Sequence, residues 1–219
     1  MAIAERALAA RFNREAFPMF DHDVYVLCGD GDMMEGVSGE AASMAGHLAL
    51  SNLCWIYDSN HITIEGGTDL AFSENVGRRF ESYGWNVLHV DDANDTAAFA
   101  RALETFRATP DRPTFIVVHS IIGWGSPRAG SEKAHGEALG EDNVRLTKRA
   151  YGWPEDRHFL VPQGVAEHFG GAVAARGEAA LCSESVTCSS RSRCRLVSRA
   201  ATKASRSRAA RARARSRSR

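Results

Sequence analysis

At 219 residues, with 27 Lys and Arg balanced by 27 Asp and Glu, the chain is neutral on average and long enough for one or two domains. No apolar run approaches the ~18–20 residues of a membrane span, so neither a transmembrane helix nor a membrane partner is expected. The average hides a division: residues 171–219 hold 13 Lys and Arg against 2 Asp and Glu, while residues 1–170 hold 14 against 25. Cys28 and Cys54 fall in apolar runs and read as inert core residues. Cys182, Cys188 and Cys194 have no zinc spacing, and no disulfide framework is implied, which fits a reducing compartment.

In chain order, Met1 to Phe20 is Ala-rich. Glu5 and Glu15 argue against a transit peptide, and a surface helix from Ile3 to about Asn13 is expected, with a weak stripe of Ile3, Leu8 and Phe12. Val24 to Cys28 is a continuous apolar run, as in a strand covered on both faces. A loop, Gly29 to Gly36, follows, then a helix from about Ser38 to Leu50 with Ala41, Ala45 and Leu48 on one face. Leu53 to Tyr57 is a second buried strand, ending at Asp58-Ser59-Asn60, and Ile62 to Gly67 is a short extended turn. Ser73 caps a helix to Tyr83, Gly84 ends it, and Trp85 to Val90 is a third strand. Thr96 to Arg107 is an amphipathic helix, and Thr114 to His119 a fourth strand. The aperiodic stretch Gly123 to Gly140 is too long for a simple connector and is a candidate functional loop. Asn143 to Tyr151 and Pro162 to Phe169 are further helices. Strands alternating with helices predict an α/β fold with a parallel sheet flanked by helices.

Residues 1–170 thus form one globular unit. Residues 171–219 are Arg/Ser/Ala-rich, without Phe, Tyr or Trp, and are expected to be a disordered tail. The abrupt change of composition suggests a reading-frame change or intron read-through. The alternative is a genuine basic segment whose binding to nucleic acid would be nonspecific and salt-sensitive.

The chemistry concentrates between Gly29 and Asn60. Ligands of open α/β sheets bind outside the carboxyl ends of the strands, and Asp30 and Asn60 both fall just past strand ends. If those strands are neighbours, a carboxylate and an amide oxygen converge, which suits Mg²⁺ or Ca²⁺ with diphosphate oxygens completing the shell. Gly29 and Gly31 let the backbone approach phosphate, and the helix that follows turns its amino end toward the anion. Alone, a Gly-Asp-Gly after a strand is an ordinary turn; its pairing with Asp58-Ser59-Asn60 across one β-α-β unit is far more specific.

Gly29-Asp30-Gly31, Glu35-Gly36, Glu40-Ala41, Asp58-Ser59-Asn60 and Ile64 together resemble the thiamine-diphosphate fingerprint. Ala45 to Leu50, Arg79 to Trp85, Gly123-Trp124-Gly125-Ser126-Pro127, Ala129-Gly130, His135-Gly136 and Leu139-Gly140 resemble the transketolase family in particular, over residues 1–170. The resemblance implies thiamine diphosphate as cofactor and a divalent metal held by Asp30, Asn60 and the carbonyl of Ile62. It places Gly29 and Gly31 against the diphosphate, with Asp58 supporting the site from behind. Glu35 joins an acidic network between the two active sites of a homodimer, and Ile64 and Ile122 line the thiazolium pocket. His135 serves the reacting carbon and substrate oxygens, so His135 and Glu35 are the candidate catalytic residues. The other singled-out histidines, His22, His61, His89, His119, His158 and His168, are given no such role.

The implied reaction moves a two-carbon ketol unit from a ketose phosphate to an aldose phosphate, as in the pentose phosphate pathway or Calvin cycle, with the cofactor as electron sink. The family's pyrimidine-binding and C-terminal domains have no counterpart here, so the chain alone is expected to be inactive. Dihydroxyacetone synthase shares these motifs and is the enzymatic alternative; a noncatalytic basic-tailed remnant is the alternative of another class. A cytoplasmic location is expected, with a plastid left open because Met1 to Asn13 resembles an internal helix of the family.

Overall fold

The computed structural model describes residues 1–15 and 17–187. They fall into two compact units, one of Met1–Phe12 with Phe20–Phe159, the other of Asn13–Met19 with the residues from Leu160 onward. The first unit runs α1 (Ala2–Phe12), β1 (Val24–Gly29), α2 (Asp30–Met34), α3 (Gly36–His47), β2 (Leu53–Ser59), β3 (Ile62–Thr63), β4 (Gly66–Gly67), α4 (Val76–Ser82), β5 (Asn86–Val90), α5 (Thr96–Arg107), β6 (Thr114–His119), α6 (Lys133–Gly136) and α7 (Glu141–Ala150). The second unit carries α8 (Val165–Thr187).

Four strands form one parallel sheet in the order β1-β2-β6-β5. β6 is its most buried strand, with Thr114 to Val118 all buried, as a continuous apolar run requires when helices cover both faces. On one face Met33, Ala42, Ala45, Phe80 and Trp85 pack with Tyr57, Phe115 and Val117. Phe80 stacks on Phe115 at 3.7 Å between centroids, and Trp85 meets Phe80 edge-on at 5.1 Å. On the other face Ala102 and Phe106 of α5 cover Cys54, Val90, Ile116 and Val118. Cys28 and Cys54 are buried in this core as expected, and burial pushes both thiols up to about 12.

Several local expectations are corrected. Gly29 to Gly36 is not a loop: Gly29 closes β1, and α2 and α3 follow with a single break at Glu35. The Asp32 carboxylate accepts the Gly29 N–H at 2.8 Å, a side-chain contact that starts a helix where two glycines suggested a turn. The face that α3 buries is Ser38, Ala42 and Ala45; Leu48 is exposed, and the helix stops at His47.

β1 is an edge strand, and one of its faces is only partly covered: the Tyr25 ring meets Phe106 edge-on at 5.4 Å, yet Tyr25 is 41% and Leu27 80% exposed. In α1 the stripe of Ile3, Leu8 and Phe12 faces out, while Ala2 and Glu5 are buried. Asn52 donates to the Glu5 carboxylate at 2.7 Å, which satisfies that buried charge. Asn75, not Ser73, caps α4 by accepting the Arg78 N–H. α7 runs Glu141–Ala150. α8 runs Val165–Thr187 and so spans the expected boundary at residue 171. The remainder of that expected tail, 188–219, lies outside the described residues. Among the described residues no helix is long and apolar enough to cross a membrane.

Candidate functional site

The condition set by the sequence, that the strands ending at Asp30 and Asn60 be neighbours, is met. β1 pairs with β2, Gly29 opposite Asp58, and β2 pairs with β6, Ser59 opposite His119. Three consecutive strand ends therefore deliver Asp30, Asn60 and the segment leading to Ile122 to one edge. There an open cleft of about 900 Å³ is lined by Gly29, Asp30, Gly31, Glu35, Asp58, Asn60, Ile62, Ile64, Ile122 and His135. Every residue singled out from the sequence as a site residue borders this one cleft.

Asp30 is its most constrained member, 3% exposed. Its Oδ1 accepts the Tyr57 hydroxyl at 2.6 Å, and its Oδ2 accepts the backbone N–H groups of Asn60 and His61, each at 3.0 Å. Three donors thus satisfy a buried carboxyl group, as burial of a polar group requires. The two amides converge because His61 adopts φ 62°, a left-handed conformation uncommon outside glycine. Asn60 Oδ1 accepts the Ile62 N–H at 3.0 Å, which orients the amide. Ser120, the first residue after β6, donates a short hydrogen bond to Asp58, tying the end of β6 to that of β2.

Glu35, in extended conformation at φ −74° and ψ 131°, breaks the chain between α2 and α3. Ile64 is 70% exposed, and His135 sits on α6, which has no buried residue. The sequence reading missed Asp32, Thr63, Glu65 and Ala134 as lining residues, and Tyr57 as the partner of Asp30. The one available signal for Tyr57 was a phenol among apolar neighbours at the carboxyl end of a strand.

The residues present fit a diphosphate with a hard cation. Asp30, the Asn60 amide oxygen and the Ile62 carbonyl are all oxygen donors, the set that Mg²⁺ and Ca²⁺ prefer. Among the described residues no group of three or more His, Cys, Asp and Glu could hold a metal ion, so a cation here would need ligand oxygens as well. Neither Gly29 nor Gly31 has positive φ. A Cβ added at Gly31 meets nothing within 4 Å, so contacts within the chain do not demand glycine there; a ligand lying against the backbone would.

An open parallel sheet flanked by helices, with its cleft at the carboxyl edge, defines an α/β protein of the kind that takes its ligand at that edge. Comparison with known proteins narrows the class. The family model described as transketolase, thiamine diphosphate binding domain, matches residues 1–195. The transketolase of Bacillus subtilis is 50% identical over 179 residues, which is 81% of this chain and 27% of that relative. Transketolase 1 of Saccharomyces cerevisiae is 45% identical over 170 residues, 77% of this chain and 25% of the relative. Among solved structures, the transketolase of Leishmania mexicana matches with a TM-score of 0.80 and 39% identity, over 84% of this chain and 28% of that one. A Pichia stipitis transketolase in complex with sedoheptulose-7-phosphate matches with a TM-score of 0.80 and 37% identity, over 84% and 27%. The chain belongs to the transketolase family. It spans about a quarter of the length of the curated relatives it matches.

Proposed function

We propose that this chain is the part of a transketolase that holds the cofactor's diphosphate and a divalent cation, and that the whole enzyme transfers a two-carbon ketol unit between sugar phosphates. The observation that carries this reading is the convergence of all ten candidate residues on one cleft at the ends of β1, β2 and β6. Asp30, Asn60 and the Ile62 carbonyl would hold Mg²⁺ or Ca²⁺, while Gly29 and Gly31 offer bare backbone to the diphosphate. Ile64 and Ile122 would keep water from the thiazolium, and Asp58, held by Ser120, would support the strand ends. When bound, thiamine diphosphate supplies the electron sink that ketol transfer needs. His135, on the loop wall, would hold or move a proton at substrate oxygens. Glu35 would act across a homodimer interface. Sugar phosphates are the substrate class, in line with the sedoheptulose-7-phosphate complex of the Pichia stipitis relative.

The chain by itself, spanning about a quarter of the length of its relatives, would bind the diphosphate end of the cofactor but not turn over substrate. Calorimetric titration with thiamine diphosphate and Mg²⁺ tests the reading. Metal-dependent binding is expected for the chain, and its loss, by about 100-fold or more, for Asp30→Ala. Equal affinity with and without Mg²⁺ would reject the metal assignment, and ketol transfer by the purified chain would reject its inactivity.

A further inference from the structure

The hydrogen-bond inventory of Asp30 leaves little of the carboxylate for a cation. An ionised carboxylate offers about four lone-pair positions, two on each oxygen. Oδ2 is saturated by two backbone donors, the N–H groups of Asn60 and His61. Oδ1 accepts one bond, from Tyr57, and keeps one position open. Of the three donors only Tyr57 is a side chain, and its bond is the shortest at 2.6 Å against 3.0 Å for each amide.

The phenol is itself fixed. Tyr57 is 4% exposed, and its ring stacks on Phe115 at 5.7 Å with 20° between planes. Phe115 in turn stacks on Phe80. A buried hydroxyl costs free energy unless bonded, so a tyrosine serving only as core filler would be matched by phenylalanine.

We propose that Tyr57 is the positioning residue of the cation site: by occupying one lone pair of Oδ1 and holding that oxygen against a rigid aromatic stack, it makes Asp30 a one-oxygen ligand of set direction. This rests on the reading of Asp30 as a metal ligand. Tyr57 touches neither cation nor cofactor in this arrangement; it acts through Asp30.

The test is Mn²⁺ binding to the purified chain in saturating thiamine diphosphate, read from the electron paramagnetic resonance signal of free Mn²⁺, for the wild type, Tyr57→Phe and Asp30→Ala. Phenylalanine keeps the ring stack and removes only the hydroxyl. Tyr57→Phe is expected to raise the Mn²⁺ dissociation constant about 10- to 100-fold, the usual effect of losing a group that orients a metal ligand. Thiamine diphosphate affinity at saturating Mn²⁺ and the near-ultraviolet circular dichroism of the aromatic cluster should stay unchanged. A structural role would instead weaken both affinities together or alter the dichroism, and either result overturns the proposal. An unchanged Mn²⁺ constant in Tyr57→Phe, with binding lost in Asp30→Ala, overturns Tyr57 alone and leaves the metal site standing. No Mn²⁺ binding by the wild type, or unchanged binding in Asp30→Ala, removes the metal site and Tyr57's role with it.

Discussion

The cleft has two walls, and they are held by different forces. The wall from Gly29 to Glu35 and from Asp58 to Ile62 grows out of adjacent parallel strands, and its key carboxylate is buried under three donors. The opposite wall, from Ile122 to His135, is a succession of turns that runs into the four-residue α6. Ser126 bonds back to Gly123, Ala129 to Ser126, and Gly130 to Ile122, while Gly123, Gly125 and Gly130 take φ of 63°, 76° and 72°. Its main anchor outside the loop is Tyr151, which stacks on Trp124 at 5.5 Å and donates to the Trp124 carbonyl. The difference assigns tasks: a strand-end wall is fixed by the core before any ligand arrives, whereas a turn-built wall adjusts without disturbing the core.

If the first wall is core-fixed, damage to the core behind it should be severe. α3, which begins next to Glu35, lies directly on the turn before β5. A Cβ added at Gly46 would sit 1.9 Å from the Tyr83 carbonyl oxygen, and Trp85 Nε1 donates to the Ala42 carbonyl at 2.8 Å. Alanine is the better helix former by about 1 kcal/mol, so a net loss isolates the clash, which is with backbone and has no rotamer to relieve it. Gly46→Ala should cost about 3 kcal/mol in urea unfolding. A loss below about 1 kcal/mol would mean that α3 does not seat on that turn.

The same wall should respond to alkali, and the other should not. Cys28 is the next-to-last residue of β1, beside Gly29, and its thiol is raised to about 12 by burial first and then by Asp32 and Asp58. Cys54 is raised to about 12 by burial and Asp23. The folded values lie above the ordinary thiol value of 9.0. The unfolded chain therefore releases thiol protons that the folded chain keeps. Stability is complete below pH 9.0 and falls between there and about 12, by up to ~1.4 kcal/mol per pH unit for each thiol. Cys54→Val keeps the volume and should flatten the slope. A slope unaltered by that replacement would assign the alkaline loss to other groups.

The two walls also differ in how far they could be read in advance. Apolar runs announced β2 and β6, and the pairing of Asp30 with Asn60 announced the cleft, because a residue just past a parallel strand must lie on the carboxyl edge. What stayed hidden depended on contacts between residues distant in sequence, or on competition between similar signals. An apolar run does not say how fully each of its faces is covered, so the exposure of Tyr25 and Leu27 was not legible. Ser73 and Asn75 are both good caps, two residues apart, and only the position of the Arg78 N–H chooses between them. Gly-Asp-Gly reads as a turn until the Asp32 carboxylate is seen on the Gly29 N–H. Tyr57 looked like one more strand residue, because its hydroxyl partner lies 27 positions away.

The smallest expected effect is the sharpest test of the walls' independence. A Cβ at Gly125 would fall 2.5 Å from Tyr151 Cε1, and φ of 76° disfavours any L side chain. The contact is with a ring that can tilt, so the conformational term decides the cost, about 1–2 kcal/mol. That cost falls on the loop, where it can be met by local opening rather than global unfolding. Gly125→Ala should therefore speed hydrogen exchange of the amides between Gly123 and Gly136 by about 5- to 30-fold, the equivalent of that free energy. Exchange in β1 and β2, and Mn²⁺ binding at Asp30, should not move. Faster exchange in β1 and β2 by the same factor would show that the loop is part of the core's cooperative unit, and that the two walls rise and fall together.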